Sequence, residues 1–274
     1  MKLSICEFPD EAARKKQAWD ALVEHTAAEN PDIVVLPEMP FCEWIFVGDA
    51  VDFGQWRGAI AKHDEMIGRF GELTCQWVMS SRPVEREGLR LNEAFLWSKA
   101  SGYQPIRHKW YLPDAPVARE TVWFDRGDRD FAPIPCGPLR VGVQLCSEIM
   151  FPEHAREIGF ADAHLIAHPR ASGGGKRWRV ACEMSAIASG CYVISANRRS
   201  YDRDWFSGGS WLLSPEAALL GETTAAQPFV TAEIDAAVAE QAKATYPRDL
   251  QRMYCSWKRA ERSLDDALAS AIAQ

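Results

Sequence analysis

The chain has 274 residues, 47% of them hydrophobic and 11 of them Trp, which is enough apolar material for a sizeable core within a single domain spanning 1–274. Its formal charge is −7, from 31 basic and 38 acidic residues, so the cationic surplus that phosphate backbones demand is missing and nucleic acid is excluded as the expected partner. No run of about 18 apolar residues exists, and Glu7 and Asp10 interrupt the first ten positions, so a cytoplasmic protein is expected, without a signal peptide, membrane helix or membrane partner. The eight cysteines form no Cys-x-x-Cys pair and mostly sit inside apolar runs, which predicts free thiols and no metal site.

In chain order, Lys2 to Cys6 predicts a strand, Glu11 to Ala27 an amphipathic helix, and Ile33-Val-Val-Leu36 a buried strand. Gln76 to Arg82 and Leu91 to Ser98 flank the turn-forming Glu85-Arg-Glu-Gly88 and predict a hairpin, so the sheet is expected to be mixed. Gln104 to His108 is a strand leading into Lys109, and Arg140 to Leu145 is one that meets Cys146. A helix over 152–158 follows, with Pro152 in its first turn. The unit then repeats: a strand at 163–167, a glycine-rich turn at 172–175, a helix at 178–189 and a strand at 191–196. The turn invites a phosphate-loop reading, but Arg177 stands where that motif needs Ser or Thr. Strands at 209–213 and 229–234 come last, and about 240–274 is expected to form a helical C-terminal arm.

Three reactive side chains share one kind of position. Glu38, Lys109 and Cys146 each stand where an apolar strand ends, and in open α/β sheets ligands bind at the carboxyl ends of strands. Each also has an ordinary structural reading: a buried cysteine fills core, and a carboxylate after a strand caps a turn. For Cys146, a helix starting near Pro152 and a neighbouring ammonium would favour the thiolate. His108 competes with Lys109, because successive side chains of a strand alternate between faces and only one of the two can point into the crevice. Periodicity leaves that choice open.

The segments Pro31-Asp-Ile-Val-Val-Leu-Pro-Glu38, Arg107-His-Lys109 with Leu112, and Val141-Gly-Val-Gln-Leu-Cys146 with Phe151-Pro-Glu153 resemble, in this order, the Glu, Lys and Cys signatures of the nitrilase superfamily of carbon-nitrogen hydrolases. The resemblance continues through 181–188, Ile194-Ser-Ala-Asn197-Arg198 and Phe206-Ser-Gly-Gly-Ser210, and so covers nearly the whole chain. It implies a four-layer α-β-β-α sandwich with mixed sheets, a homodimer or higher homo-oligomer, no metal or organic cofactor, and Lys109 rather than His108 as the catalytic cation. A second glutamate of the family is best matched by Glu120, with Asp114 as its competitor.

The implied chemistry makes Cys146 the nucleophile, Glu38 the base, Lys109 with the Ser147 N–H the oxyanion site, and Glu120 the residue that orients Lys109. Many true nitrilases carry Trp directly after the cysteine; Ser147 stands there, which turns the expectation toward an amidase acting on a small linear amide or carbamoyl amide. Glu148, shared with nitrile-acting branches, keeps a nitrilase as the alternative, and a catalytically silent binding module is the remaining reading. Arg170 is a candidate fork for a substrate carboxylate, with an ion pair as its structural alternative. Trp44, in the aromatic run 41–46, is a candidate pocket wall, and Trp110, Tyr111 and Trp123 are further ones.

Overall fold

The computed structural model describes residues 1–250, so most of the expected arm lies outside the described residues. The first strand, β1 (Lys2–Pro9), sets the pattern for the molecule: Leu3 and Ile5 point into one core, Cys6 and Phe8 into another. After the helix α1 (Ala12–Glu29), β2 (Ile33–Val35) repeats it, with Ile33 and Val35 on one side and Val34 on the other. A strand of continuous apolar residues is thereby buried on both faces.

The helix α2 (Phe53–Gly68) follows, where the sequence predicts no element. Gly54, Gly58 and Gly68 blur its periodicity, but Asp52 caps it by accepting the N–H groups of Gly54 at 2.7 Å and Gln55 at 3.0 Å, and Trp56, Ala59 and His63 form its buried face. Next come β3 (Trp77–Arg86), β4 (Leu89–Ser98) and β5 (Gly102–His108), an antiparallel meander longer than the apolar pattern indicates. A small ribbon, β6 (Asp114–Ala115) with β7 (Ala118–Arg119), runs into the short helix α3 (Glu120–Trp123).

The second half is built from β8 (Ile134–Cys136), β9 (Leu139–Val143), α4 (Pro152–Phe160), β10 (Leu165–Arg170), α5 (Lys176–Ser189) and β11 (Tyr192–Arg199). It ends with β12 (Trp211–Leu213), β13 (Leu219–Glu222), β14 (Phe229–Glu233) and α6 (Ala236–Lys243). The strands form two sheets. One runs β5-β4-β3-β2-β1-β14, the other β8-β9-β10-β11-β12-β13, and they join where Glu7 to Pro9 of β1 pair in parallel with Asn197 to Arg199 of β11. Both sheets mix parallel and antiparallel pairs.

Between the sheets, Leu3, Ile5, Ile33 and Val35 meet Val141, Val143, Ala167 and Ile194. On the far side of the first sheet, Trp19 and Leu22 of α1 cover Phe8, Val34 and Phe95; on the far side of the second, Ala155 and Ile158 of α4 and Cys182 and Ala186 of α5 cover Ile166 and Val193. Helix, sheet, sheet and helix make four layers, the sandwich the sequence motifs imply. The seven described cysteines are free and buried, and no helix among the described residues is long and apolar enough to cross a membrane.

Candidate active site

Glu38 lies just beyond β2, in a loop held from behind. Arg198, at the end of β11, donates to the carbonyls of Glu38 at 3.3 Å and Cys42 at 2.6 Å, to that of Met39, and to the Asp10 carboxylate. This buried guanidinium fixes a turn in which Met39 takes a φ of 45°, a conformation uncommon for a side chain of that size. The two sheets thus set the direction of Glu38 jointly: β2 delivers it and β11 grips it.

Alternation along the end of β5 decides between His108 and Lys109. Arg107 and Lys109 turn inward; His108 turns the other way, where its Nε2 lies 2.9 Å from the buried Glu93 carboxylate, a group that also accepts from Tyr103 and Arg86. Lys109 is fully buried, and its Nζ donates to Glu38 Oε1 at 2.8 Å and lies 2.9 and 2.8 Å from the two oxygens of Glu120. Glu120, the first residue of α3, is buried beside it, whereas Asp114 is largely exposed and lies 3.3 Å from Arg119. Asn92 of β4 completes the frame: its side-chain amide donates to Glu38 Oε1 at 2.8 Å and its main-chain carbonyl accepts the Lys109 main-chain N–H at 2.9 Å. Glu38 Oε2 is buried with no hydrogen-bond partner among the described residues.

Cys146 opens a 3₁₀ turn, Cys146–Met150, directly after β9, with a φ of 45°. His168 of β10 stabilises that strained turn, its Nε2 lying 3.0 Å from the Cys146 carbonyl. Burial lowers the His168 pKa to about 3, so the ring is neutral and the contact requires the Nε2–H tautomer. The N–H groups of Cys146 and Ser147 fall in the first turn of this helix, where no intrahelical acceptor exists, and the Ser147 hydroxyl donates to the Tyr111 carbonyl at 2.5 Å.

Burial and the neighbouring charges set the titration of Cys146, Lys109 and Glu120. Burial, then the Glu38 carboxylate, push the Cys146 thiol up, and Lys109 only partly opposes them. The pull of Lys109 toward the thiolate is thus outweighed, and α4, which starts at Pro152 as expected, is separated from Cys146 by the 3₁₀ turn. Burial would depress Lys109, but Glu120 and Glu38 outweigh it and hold the ammonium above the usual lysine range. Burial pushes Glu120 up to about 8 against the pull of Lys109, with Glu38 adding to the rise.

The remaining sequence candidates divide. Glu148 is buried and saturated: one oxygen accepts from Arg107 at 2.5 Å and the Leu145 N–H at 2.8 Å, the other from Arg107 at 3.0 Å and the Trp110 N–H at 2.9 Å. It ties the end of β5 to the Cys146 turn. Arg170 is sealed as well, donating to Ser195 at 2.8 Å, to Ser172 and to the Gly209 carbonyl, with its guanidinium 4.3 Å from the Trp211 ring centre. Its donors are thus engaged within the protein, and it makes no ion pair among the described residues; burial lowers its pKa only to about 10, so it stays cationic. Trp44 packs into an aromatic block with Phe46 and Phe206 and donates its indole N–H to Val117, and Trp123 belongs to the same block. Trp110 and Tyr111 do line open space: with Leu112, Pro113, Ser147 and Phe151 they border a cavity of about 460 Å³ beside the Cys146 turn.

Asn92, Arg107, His168 and Arg198 are the neighbours that sequence reasoning missed as site residues. Each is polar inside an apolar strand, a signal that was there to use; their partners, distant in sequence, were not. No group of three or more His, Cys, Asp or Glu that could hold a metal ion occurs among the described residues.

Known proteins resemble this chain in sequence and fold. A segment of 119 residues, 43% of the chain, is 34% identical to a protein of Pyrococcus abyssi named nitrilase, of which it spans 45%. Over 267 residues, 91% of the chain, identity to the chloroplastic omega-amidase of Arabidopsis thaliana is 22%, spanning 72% of that protein. The chain thus covers about half of the length of the first of these relatives. The crystal structure of a carbon-nitrogen hydrolase from Helicobacter pylori G27 superposes with a TM-score of 0.77 at 20% identity, covering 90% of this chain and 94% of that one. Residues 9–244 match the carbon-nitrogen hydrolase family, and the chain belongs to it.

Proposed function

We propose that the protein hydrolyses a small linear amide or carbamoyl amide through a thioester on Cys146, releasing ammonia or an amine. One observation carries the reading: the buried Lys109 ammonium bridges Glu38 and Glu120, while the second oxygen of Glu38 is buried without a partner among the described residues, and burial, with the Glu38 charge second, pushes the Cys146 thiol up. A neutral thiol needs a base at the moment of attack, and Glu38 is that base.

In the proposed cycle Glu38 takes the sulfur proton as Sγ bonds to the amide carbon. The carbonyl electron pair moves onto oxygen, and the oxyanion rests against Lys109 and the Ser147 N–H. When the carbonyl reforms, the C–N bond breaks and Glu38 gives its proton to the departing nitrogen. Water deprotonated by Glu38 then attacks the thioester carbon, the C–S bond breaks, the acid leaves and the proton returns to sulfur. Glu120 holds Lys109 in place throughout. Residues 1–274 act as one domain in this reading, and the working unit is a homodimer or higher homo-oligomer.

Amide over nitrile rests on Ser147, at the position where the nitrilases that the sequence motifs resemble often carry Trp. The nitrile alternative draws on the segment similar to the Pyrococcus abyssi nitrilase. Matched amide and nitrile pairs separate them: ammonia is expected from the amide and not from the nitrile, and the reverse result overturns the amide reading. Lys109→Ala is expected to lower turnover about 10²- to 10³-fold, the usual cost of an oxyanion donor, with circular dichroism unchanged. A folded Lys109→Ala or Cys146→Ala protein with full activity sinks the mechanism.

A further inference from the structure

The cavity beside Ser147 holds a cation that the proposed cycle does not use. Arg126 lines it together with Trp110, Tyr111, Met150 and Phe151, and none of its lining residues is acidic. Arg126 takes part in no ion pair among the described residues. The acids near it in sequence are engaged elsewhere: Asp125 accepts the Arg90 N–H at 2.8 Å, Asp128 the Asp130 N–H at 3.2 Å, and Asp130 the Ala132 N–H at 2.9 Å. Its guanidinium instead lies 5.7 Å from the centre of the Trp110 ring.

A surface arginine on a loose loop would mean little, but this one is fixed from both sides. On one side the Asp125 N–H donates to the Arg90 carbonyl at 2.7 Å; on the other the Gly127 N–H donates to the carbonyl of Lys109 at 2.9 Å. Only glycine permits that second approach, because a Cβ at residue 127 would lie 2.3 Å from the His108 carbonyl oxygen. The backbone of Arg126 is thus one residue away from a bond to the main chain of the lysine. Across the cavity, Tyr111 and Phe151 stack with ring centres 3.7 Å apart and planes inclined by 13°, which gives a flat apolar wall. A volume of about 460 Å³ lies within the usual range for small-molecule sites.

We infer that Arg126 is a specificity-determining residue of this cavity, and that the substrate's acyl part joins a flat apolar body to a carboxylate, the body against Tyr111 and Phe151 and the carboxylate in the Arg126 fork. A planar guanidinium that is exposed and has no counterion among the described residues suits bidentate carboxylate recognition. The inference rests on the hydrolase reading for the amide end of the substrate only; capture of the anion does not depend on turnover.

The test compares 4-carboxyphenylacetamide with its neutral counterpart 4-methylphenylacetamide. Binding is measured by calorimetry in the full-length Cys146→Ala protein, with Arg126 intact or replaced by Gln or Lys, and KM and kcat are measured with Cys146 intact. The anionic amide is expected to bind about 10- to 100-fold more tightly than the neutral one, the range for hydrogen bonds to a charged group. Arg126→Gln should abolish that difference, raising KM for the anionic amide with kcat little changed, as loss of uniform binding does. Arg126→Lys should restore part of it, since the charge returns without the fork. Equal affinity for the two amides, or a preference that survives Arg126→Gln, overturns the inference. Arg126-dependent binding without turnover of either amide sinks the hydrolase reading and leaves this one standing; turnover of both at equal KM does the opposite.

Discussion

Glu120 shows at the scale of one side chain how the site couples chemistry to stability. Burial pushes its carboxyl up to about 8 from an ordinary value of 4.5, so between those values the folded protein keeps a proton that the unfolded chain releases. The corresponding stability is fully present below about 4.5 and is lost as the pH rises through about 8. Glu120→Gln keeps the size of the side chain and an oxygen for Lys109 but cannot ionise. The fall in melting temperature from about pH 5 to about pH 8 is therefore expected to be shallower in Glu120→Gln than in the unmodified protein; parallel slopes in thermal melts would refute this. The sequence pointed to Glu120 only through the family motif, since neither its burial nor its contact with Lys109 can be seen in the pattern around 119–127. The choice between His108 and Lys109 was equally hidden, because the periodicity of β5 shows that the two face opposite ways but not which of them meets Glu38 and which meets Glu93.

Among the elements, the pair Arg107–Glu148 matters most for keeping the end of β5 against the Cys146 turn. Glu148 receives four donors, two from Arg107 and two from main-chain N–H groups that bracket Lys109 and Cys146 in sequence, Trp110 and Leu145. Arg107→Met would leave a buried carboxylate without its cation, and urea denaturation is expected to show a loss of about 3–5 kcal/mol. A loss under about 1 kcal/mol would mean that the two N–H groups alone satisfy Glu148. Most of the strands were legible because their side chains alternate between two dry cores, as in Ile33-Val-Val35. The hairpin runs further than the apolar pattern, since Glu85 pairs with Arg90 and Arg86 with Leu89 through backbone bonds that exposed residues do not advertise. Likewise α2 escaped notice because helix formation there depends on the Asp52 cap and a narrow buried face rather than on a strong repeat.

For the whole molecule, the site exists only where the two sheets meet. Glu38 and Lys109 come from the first sheet, Cys146 follows a strand of the second, and the buried pair Asp10–Arg198 and the partly exposed pair Glu7–Arg199 stand at the seam. The helical cover of the second sheet has a further property. α5 buries Cys182, Ser185, Ala186 and Ser189 but exposes Val180 and Met184, one turn apart on its outer side, and Phe160 is exposed at the end of the adjacent α4. Apolar residues at this spacing form a stripe that water covers at a cost, and a second copy of the chain would cover it while stacking the second sheets of the two subunits across the α4 and α5 layers. The homodimer proposed above is therefore expected to form through this face. In a C₂ dimer each substitution enters the interface twice, so Val180→Glu with Met184→Glu sets four carboxylates against one another. Light scattering after gel filtration should give twice the 30.7 kDa chain mass for the unmodified protein and a single chain mass for the double variant, with circular dichroism unchanged. If the double variant keeps the larger mass, the subunits meet elsewhere; if the unmodified protein already runs as a single chain, the homodimer itself is wrong.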